Sequence, residues 1–381
     1  MNTLSRRDFI KQMRALGALS AVGAFGFPVI ARAESSGQVV IIGGGFGGAT
    51  CAKYLRRSGP GLGITLIESK DKYVTCPFSN TVLAGINKMD FITHSYSDLA
   101  GKYQVKIVHD TATAIDVAGK KLTTKSGQTL NYDHLVVSPG IDFRWHEIEG
   151  YDEAASEKIP HAWQAGPQTE LLYKQIAAMN DGGVVVITTP PGVFRAPSAP
   201  YERASMVAFY LKEHKPKSKV LILDSGDTFE ERDLFMQAWE ELFPGVIEWV
   251  KNSQVVKADA GAMTVSTKGG DTHKGDVINI IPPQKAGAIA NVAGLADESG
   301  WCPVNQRTFE STKQKAIHII GDACIAGDMP KAGSAANTQA KVCAAAIISS
   351  FTGEAMPEPV FMSIFYSLIG DRYAISDARL Y

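Results

Sequence analysis

The fold is decided by residues 38–48, which read QVVIIGGGFGG. The first five residues form a β-branched, apolar run that is typical of buried parallel strands. The glycines fit G-x-G-x-x-G: Gly43 permits a tight turn, Gly45 lets the backbone approach a pyrophosphate, and Gly48 lets helix and strand pack closely. A glycine turn alone would be a weak signal, but its place after a strand predicts a dinucleotide site.

The next segments strengthen this interpretation. A helix is predicted over Ala49–Leu55, and its N-terminus would present free N–H groups to phosphates. A second strand is predicted over Ile64–Ile67 and ends in Glu68, 20 residues past Gly48. An acid at this spacing accepts hydrogen bonds from a nucleotide ribose, which favours a dinucleotide over a plain glycine turn.

Three later segments indicate that the dinucleotide is FAD. Residues 312–322 fit T-x-x-x-x-h-h-h-h-G-D, where h is apolar, and would deliver Asp322, after Gly321, to a ribityl chain. Gly140 closes an SPG turn that follows another apolar run, as in flavoproteins with two dinucleotide domains. A long helix predicted over Ser334–Ser349 would point its N-terminus at the flavin pyrimidine.

A second Rossmann-like unit lies between these segments. Apolar runs at residues 183–188 and 220–224 predict buried strands, with a helix at about 202–213 between them. In relatives that use NAD(P)H the first turn here would be G-x-G-x-x-G. Residues 189–200 instead read TPPGVFRAPSAP, and the four prolines lack N–H donors. We therefore predict no productive NAD(P)H site.

Residues 1–33 are predicted to be an export signal. Residues 5–11 read SRRDFIK, a twin-arginine pattern, and an apolar stretch leads to a cleavage pattern ARA at 31–33. The alternative is a basic amphipathic helix on the fold. Because this route carries folded proteins, we expect a periplasmic protein that acquires its cofactor before export.

Composition excludes several classes of protein. Of 381 residues, 45% are hydrophobic and 20% charged, as in globular proteins. The formal net charge is −1, and −5 once residues 1–33 are removed, which argues against nucleic acid as a partner. Five cysteines are too few for a disulfide scaffold, and no haem motif or metal site is predicted. We expect no membrane span in the mature chain.

Short motifs resemble the flavoprotein (FAD-binding) subunit of flavocytochrome c sulfide dehydrogenase, one of the glutathione-reductase-like and sulfide:quinone-reductase-like flavoproteins. The resemblance runs from about Val39 to the C-terminus. The motifs are GGGFGG (43–48), YVTCPFSN (73–80), IEGY (148–151), PHAW (160–163), PYERA (200–204), IPPQ (281–284), SGWCPV (299–304) and IGDAC (320–324).

The predicted fold class is therefore α/β, with two Rossmann-like dinucleotide-binding domains of the glutathione-reductase-like type and a C-terminal interface segment. Residues 34–160 and 296–355 would form a discontinuous FAD-binding domain. Residues 161–295 would form the second domain, without an NAD site. Residues 356–381 would begin an interface domain.

The resemblance implies a covalent cofactor. Cys76 stands where the family attaches a cysteine sulfur to the flavin 8α-methyl group. Such a bond would prevent loss of FAD in a compartment without an FAD supply, and tends to raise the flavin potential. The alternative for Cys76 is a small buried hydrophobic residue.

The resemblance also implies a redox disulfide above the flavin, but both cysteines are replaced, by Ala196 and Phe365. The other thiols do not match those positions: Cys51 and Cys343 are predicted to be core residues, and packing is favoured for Cys302 and Cys324. Either sulfide or another small nucleophile reacts directly with the flavin, or the site has changed to another electron donor.

Glu202 stands at the family's acidic position near the flavin and is the candidate catalytic acid or base. The alternative is an acid that only suits the start of a helix. Arg195 and Lys331 would attract an anion such as HS⁻, although a surface role is an equal alternative for each.

The predicted function is transfer of electrons from a small reduced sulfur compound to a separate c-type cytochrome subunit. Two alternatives remain open: a flavoprotein oxidoreductase with a different donor, and a non-catalytic flavin-binding subunit of a cytochrome complex.

Overall fold

The computed structural model describes residues 36–381, so the predicted export signal lies outside the described residues. The strands are β1 Gln38–Ile42, β2 Gly63–Ile67, β3 Lys72–Val74, β4 Thr93–Ser95, β5 Lys106–Val108, β6 Ala112–Asp116, β7 Lys121–Thr124, β8 Thr129–Asn131, β9 His134–Val137, β10 Ile141–Phe143, β11 Val184–Thr188, β12 Lys219–Leu223, β13 Ile247–Val250, β14 Val255–Asp259, β15 Thr264–Thr267, β16 Thr272–Lys274, β17 Val277–Ile280, β18 Gln284–Ala286, β19 Cys302–Pro303, β20 Ile317–Ile319, β21 Cys324–Ile325, β22 Met362–Gly370 and β23 Tyr373–Leu380. The α-helices are α1 Phe46–Ser58, α2 Ser79–Leu83, α3 Ser97–Gly101, α4 Pro167–Ala178, α5 Ala199–His214, α6 Arg232–Leu242, α7 Ala288–Val292 and α8 Gly333–Thr352. Short 3-10 helices lie at Met89–Ile92, Trp145–Glu147, Ala155–Glu157 and Gly321–Ala323.

The first sheet has the order β20-β9-β1-β2-β5, and all its neighbouring pairs are parallel. Because parallel strands end at the same edge, the chain segments that follow β1, β2, β9 and β20 come together there. Helix α1 begins directly after the glycine turn, earlier than predicted, and α8 also extends past its predicted ends. The amide of Asn337 in α8 donates to the hydroxyl of Thr50 in α1 over 3.0 Å, which ties the two helices together.

The second sheet, β13-β12-β11-β17, is also parallel and contains both predicted strands of the insert. Helix α5 begins three residues before its predicted start. Pro200 occupies the first turn of this helix, where its missing N–H group is not needed. Antiparallel strands β14, β15 and β16 extend this unit. The predicted α/β class with two Rossmann-like sheets is confirmed.

The two sheets are joined through a shared hydrophobic core and through the antiparallel pair β10–β18. Buried side chains of the first sheet, such as Ile41, belong to the same cluster as Val185 and Ile187 of the second. A cavity at the join is therefore built on two packed units. Within residues 36–381 no helix has the length and apolar character that a membrane span needs.

The segment predicted to begin an interface domain is a hairpin of β22 and β23. Its first strand rests on both units: the N–H of Ile364 donates to the hydroxyl of Ser334, at the start of α8, and the hydroxyl of Ser367 donates to Ser198, just before α5. Ile369 of β22 and Ile375 of β23 are the buried side chains of the hairpin's inner face. The hairpin thus covers the region where the N-terminal ends of α5 and α8 meet.

Candidate active site

A cavity of about 880 Å³ lies at the carboxyl edge of the first sheet. Its wall combines the glycine turn, the segment after β3, the start of α5, the start of α8 and the first strand of the hairpin. Of the predicted site residues, Gly45, Cys76 and Glu202 line it directly. The replaced cysteine positions, Ala196 and Phe365, line it as well.

The glycine turn has the geometry that its sequence predicts. Gly43 has φ +92°, and a Cβ there would overlap the carbonyl oxygen of Ser138. A Cβ at Gly48 would overlap the carbonyl oxygen of Gly43, so the helix and the turn touch at this point. Gly45 differs, because a Cβ there would lie 3.5 Å from the nearest protein atom, in Tyr73. Packing within the protein does not require a glycine at this position, which faces the cavity.

Glu68 lies at the end of β2 beside this turn. Its carboxylate accepts the N–H of Gly44 over 2.7 Å and that of Lys70 over 3.0 Å. The oxygen that accepts from Gly44 has a second lone pair for a ribose hydroxyl. The ring of Tyr96 packs directly against the turn at Gly44, where a Cβ atom would overlap it.

The motif at residues 312–322 reaches the same edge of the first sheet. Gly321 has φ +76° and donates its N–H to the side chain of Gln339 over 2.8 Å, while Gly140 has φ +68° in the neighbouring turn. Asp322 follows, and its carboxylate lies 3.6 Å from the guanidinium of Arg195. Gly140, Gly321 and Asp322 do not line the cavity themselves, and Asp322 is connected to it through Arg195, which does.

Neither candidate cation is exposed on the surface, because Arg195 is largely buried and Lys331 is half-buried. Arg195 and Asp322 have side chains only 16% and 14% exposed. The amine of Lys331 donates to the carbonyl oxygens of Asp322 and Cys324, over 2.9 Å and 2.8 Å, and lies 3.8 Å from the centre of the Trp301 ring. Both cations stand beside the predicted ribityl position.

Cys76 follows the short strand β3 and lines the cavity half-buried, so it is not a core residue. Its thiol donates to the carbonyl oxygen of Trp163 over 3.6 Å. This contact fixes the direction of the sulfur at the cavity wall.

None of the five cysteines is in a disulfide. Cys51 and Cys343 are buried in helices α1 and α8, as predicted. Cys302 and Cys324 are partners in the short parallel pair β19–β21, and burial raises the pKa of each thiol to about 12. These thiols stay protonated and serve in packing.

Glu202 lies in the first turn of α5 and reaches the cavity wall. Burial raises the pKa of its carboxyl group from 4.5 to about 7, although the N–H of Leu368, the amide of Asn80 and the charge of Arg203 oppose this shift. A carboxyl group with this pKa can accept or release a proton near neutral pH.

The sequence did not single out several residues that build this wall. Arg203 is 3% exposed and lies under the ring of Trp163, 4.8 Å from its centre. Asn80 accepts the Nε–H of Arg203 over 3.1 Å. These residues lie in the motifs YVTCPFSN, PHAW and PYERA, so the motifs could have pointed to them. The distances between them along the sequence give no such signal.

The cavity fits a flavin dinucleotide. Within residues 36–381 three buried donors at or beside its wall have no protein partner: Tyr96 OH, Trp163 Nε1 and Arg195 Nη2. Helices α1 and α8 both begin at the wall without a side-chain cap, so free N–H groups are available to phosphate and pyrimidine oxygens. No group of three or more His, Cys, Asp or Glu in the same described part of the chain could hold a metal ion.

Comparisons with known proteins agree with this site. Residues 37–186 match the family "Pyridine nucleotide-disulphide oxidoreductase", and residues 169–282 match "Sulfide dehydrogenase [flavocytochrome c] flavoprotein chain, central". Residues 37–186 are thus similar to pyridine nucleotide-disulphide oxidoreductases, and residues 169–282 to the central part of a sulfide dehydrogenase flavoprotein chain. The chain is an FAD-dependent oxidoreductase, and its relatives include sulfide-oxidising enzymes.

The chain is also similar to individual flavoproteins. The mitochondrial sulfide:quinone oxidoreductase of Dictyostelium discoideum is 24% identical over 326 residues, which cover 83% of this chain and 71% of that protein. The flavocytochrome c sulfide dehydrogenase flavoprotein chain of Chlorobaculum thiosulfatiphilum is 60% identical, but over only 45 residues, or 12% of this chain and 94% of that sequence. The solved sulfide:quinone oxidoreductase of Aquifex aeolicus has the same fold, with a TM-score of 0.74 at 23% identity over 90% of this chain and 87% of that one.

This oxidoreductase differs in two regions from what the name of the matched family, "Pyridine nucleotide-disulphide oxidoreductase", describes. The cavity has no cysteine pair, since Ala196 and Phe365 occupy the two positions. In the second unit, Asp224 at the end of β12 is only 3% exposed. Its carboxylate accepts hydrogen bonds from the Thr189 hydroxyl, the Tyr201 hydroxyl and the Trp249 indole, over 2.7, 2.6 and 2.7 Å. This arrangement supports the prediction that the second unit has no productive NAD(P)H site.

Proposed function

We propose that the protein is a periplasmic, sulfide dehydrogenase-like oxidoreductase that passes electrons from a reduced sulfur compound to a c-type cytochrome, with FAD attached to Cys76. The observation that carries the proposal is that Cys76, Glu202 and the two replaced cysteine positions all face one cavity. That cavity adjoins the glycine turn and a buried cation, Arg195. The family relationship to sulfide-oxidising flavoproteins supports the same donor.

Each wall residue has a defined task under this proposal. The flavin accepts two electrons from the donor and can release them singly, which a cytochrome requires. Cys76 anchors the flavin, and Glu202 exchanges the donor's proton at a pKa of about 7. Arg195 provides positive charge that attracts an anionic donor such as HS⁻. Phe365 and Leu368 of the hairpin restrict access of water to the cavity.

The donor is oxidised without help from a protein disulfide. Anaerobic sulfide added to the protein in a stopped-flow instrument, with oxidised cytochrome c present, should reduce the flavin and then the cytochrome. Reduction of the flavin by some other donor alone would favour a changed substrate, and the absence of turnover with any donor would favour a non-catalytic subunit. Restoring both cysteines, as Ala196→Cys with Phe365→Cys, should raise the rate with sulfide; Ala196→Ser with Phe365→Ser is the matched control.

The covalent bond has a simple test. After acid precipitation of the wild-type protein, the yellow colour should remain with the pellet, and in Cys76→Ser it should move to the supernatant. Cys51→Ser, which alters a buried thiol in α1, is the control and should keep the colour in the pellet. Wild-type flavin found wholly in the supernatant would refute the covalent attachment.

A quinone is a second candidate acceptor, because the relatives matched over most of the chain are sulfide:quinone oxidoreductases. The hairpin strand beside the cavity supports it, since Met362, Ile364, Tyr366 and Leu368 line the wall without a charge. After reduction by sulfide, reoxidation is followed separately with cytochrome c and with a short-chain ubiquinone analogue. Faster reoxidation by cytochrome c supports the proposal, and faster reoxidation by the quinone supports the second candidate.

Export by the twin-arginine route is tested by cell fractionation. We expect the wild-type protein in the periplasm of a bacterial host. The double variant Arg6→Lys with Arg7→Lys should remain in the cytoplasm. Equal distribution of the two proteins would contradict the proposed route.

A further inference from the structure

Arg203 is a buried cation whose hydrogen bonds within residues 36–381 all go to neutral oxygens. The residue is only 3% exposed. Its two Nη atoms donate to the carbonyl oxygens of His161 and Ala162, over 3.1 and 2.7 Å, and to the amide oxygen of Asn279, over 2.9 Å. Its Nε donates to the amide oxygen of Asn80 over 3.1 Å. A planar guanidinium bound in this way has a fixed position, so it can hold other parts of the site in place.

The two carbonyl oxygens that Arg203 binds belong to a sharp turn of the backbone. Ala162 has φ +45°, in the left-handed region that an alanine rarely adopts because its Cβ crowds the backbone. Asn279 of β17 supports the same turn, since its amide nitrogen donates to the carbonyl oxygens of Pro160 and His161, over 2.7 and 2.8 Å. Arg203 and Asn279 together offset the strain at Ala162 and fix the direction in which the next residue leaves the turn.

The next residue is Trp163, which holds the Cys76 thiol. Its carbonyl oxygen accepts the hydrogen bond from Sγ over 3.6 Å. The guanidinium carbon of Arg203 lies 4.8 Å from the centre of the Trp163 ring, within the range of a cation–π interaction. Arg203 thus supports Trp163 twice, through its ring and through the preceding turn. The acceptor of the Cys76 thiol is therefore held in place by the guanidinium.

Arg203 also holds the segment that carries Cys76. Asn80, which accepts its Nε–H group, lies on α2 only four residues after Cys76. The segment of the thiol and the acceptor of the thiol therefore meet at one guanidinium, although they come from distant parts of the chain. Cys76, Asn80, Trp163 and Arg203 all line the same cavity. A change at Arg203 would release both sides of the contact between Cys76 and Trp163.

We propose that Arg203 is a positioning residue that directs the Cys76 sulfur at the flavin before the covalent bond forms. The inference rests on the proposed attachment of FAD to Cys76. In that step a bond forms between Sγ and the 8α-methyl carbon, while the S–H bond and one C–H bond of the methyl group break. Both hydrogens and two electrons end on the isoalloxazine, which the electron acceptor of turnover reoxidises. A sulfur that is already aligned reacts faster, because its orientation is set before the reaction.

The test follows covalent attachment in the full-length protein, produced in a riboflavin-starved host. FAD is added, and the mass of the intact chain is recorded as the adduct forms. Arg203→Met removes the hydrogen bonds of the guanidinium but keeps a long side chain. The rate at saturating FAD should fall about tenfold or more, because a misdirected sulfur is seldom in place to react. The FAD concentration that gives half the maximal rate should stay as in the wild type, since the glycine turn binds the dinucleotide.

Ser205→Ala is the matched control, since Ser205 is buried on the same helix but does not line the cavity. Its hydroxyl accepts the indole N–H of Trp239 over 2.8 Å, so the variant loses a buried hydrogen bond and some stability. The attachment rate should remain that of the wild type. An equal loss of rate in Ser205→Ala would attribute the effect to general destabilisation and overturn the proposal.

Arg203→Lys separates charge from position. A lysine keeps the positive charge, but its amine cannot bind the acceptors in the planar arrangement of a guanidinium. Attachment should be as slow as in Arg203→Met. A wild-type rate in Arg203→Lys would show that charge alone is sufficient, and it would overturn the positioning role.

A variant outside the cavity covers the case in which Arg203→Met does not fold. Asn279 does not line the cavity, and Asn279→Ala removes the second support of the turn at Ala162, so the rate should fall about threefold. A wild-type rate in this variant would then reject the proposal. Failure of the proposed attachment is distinguishable, because it would leave the wild type itself without an adduct. Failure of the positioning role alone would give equal rates in the wild type and Arg203→Met.

Discussion

The two Rossmann-like units have similar sheets but treat the acid after their second strand in different ways. In the first unit Glu68 is half-buried and accepts backbone N–H groups of Gly44 and Lys70. In the second unit Asp224 is buried and accepts three side-chain donors of its own domain. From this comparison we infer that nucleotide binding depends on the first turn and on the freedom of this acid, and not on the sheet.

The two units also differ in the aromatic side chains beside this acid. In the second unit the ring of Tyr201 stacks on Phe229, with centroids 3.5 Å apart and planes at 12°. This pair fills space next to the acid with protein. Burial and the Asp224 carboxylate raise the pKa of Tyr201, so its hydroxyl remains a donor. The first unit leaves a cavity of about 880 Å³ at the corresponding edge.

The largest effect is expected from Gly48→Ala in the first unit. The new Cβ would overlap the carbonyl oxygen of Gly43, so the turn must move. We expect the free energy of unfolding to fall by about 3 kcal/mol or more and FAD to be lost. Urea unfolding and the flavin absorbance of the purified protein measure both. Gly226→Ala is the control, because its nearest neighbour would be 3.4 Å away in the second unit. Normal flavin content in Gly48→Ala would show that the turn is not the binding element.

The substitution Asp224→Asn tests the role of the buried acid in the second unit. An amide can offer only one acceptor oxygen to the Thr189, Tyr201 and Trp249 donors, and its NH₂ group meets a further donor. We expect a loss of about 2–4 kcal/mol in unfolding free energy, with the FAD content per folded chain unchanged. The exposed Asp227→Asn should change neither quantity. If Asp224→Asn bound NADH or lost FAD, the assignment of the two acids would be wrong.

Glu202 belongs to both halves of the comparison, because helix α5 of the second unit places it at the cavity of the first unit. Burial raises the pKa of this group to about 7 from 4.5, so between these values the folded chain keeps a proton that the unfolded chain has released. Stability relative to Glu202→Gln should therefore fall by about 2 kcal/mol as pH rises from 4.5 to 7, and level off above. Urea midpoints at pH 5 and pH 8 measure this difference. The exposed Glu213→Gln, on the same helix, should follow the wild-type slope; a wild-type slope in Glu202→Gln as well would argue that Glu202 is ionised throughout.

Glu68→Gln should have the smallest effect. The amide still accepts one N–H but is a weaker acceptor for a ribose hydroxyl, so FAD affinity before covalent attachment should fall about tenfold, or ~1.4 kcal/mol. The affinity is measured by fluorescence titration in the Cys76→Ser background. Asp71→Asn, a highly exposed acid nearby, is the control. Equal FAD affinities for Glu68→Gln and its Cys76→Ser parent would show that Glu68 does not contribute to FAD binding.

Much of this fold could be predicted from local sequence. The strands at residues 38–42 and 63–67 follow from continuous β-branched runs, and the roles of Gly43 and Gly48 follow from the turn that joins them. Helix α5 begins three residues before its predicted start, and Pro200 lies in its first turn, where proline is tolerated.

The wall of the cavity could not be predicted in the same way, because it depends on contacts between distant segments. Asn80 and Arg203 are 123 positions apart, and nothing local marks them as partners. Arg195 was ambiguous for the same reason, because its ion-pair partner Asp322 comes from a distant segment of the chain. Motifs shared with known flavoproteins marked these segments but not the contacts.

The central claim is that one unit binds a dinucleotide and the other does not. Native mass spectrometry of the purified protein, with FAD and then NADH in excess, counts the bound molecules directly. We predict one FAD for each chain and no NADH, with no bleaching of the flavin absorbance when NADH is added. A colourless protein that takes up no FAD, or a chain that carries NADH beside it, would contradict the account.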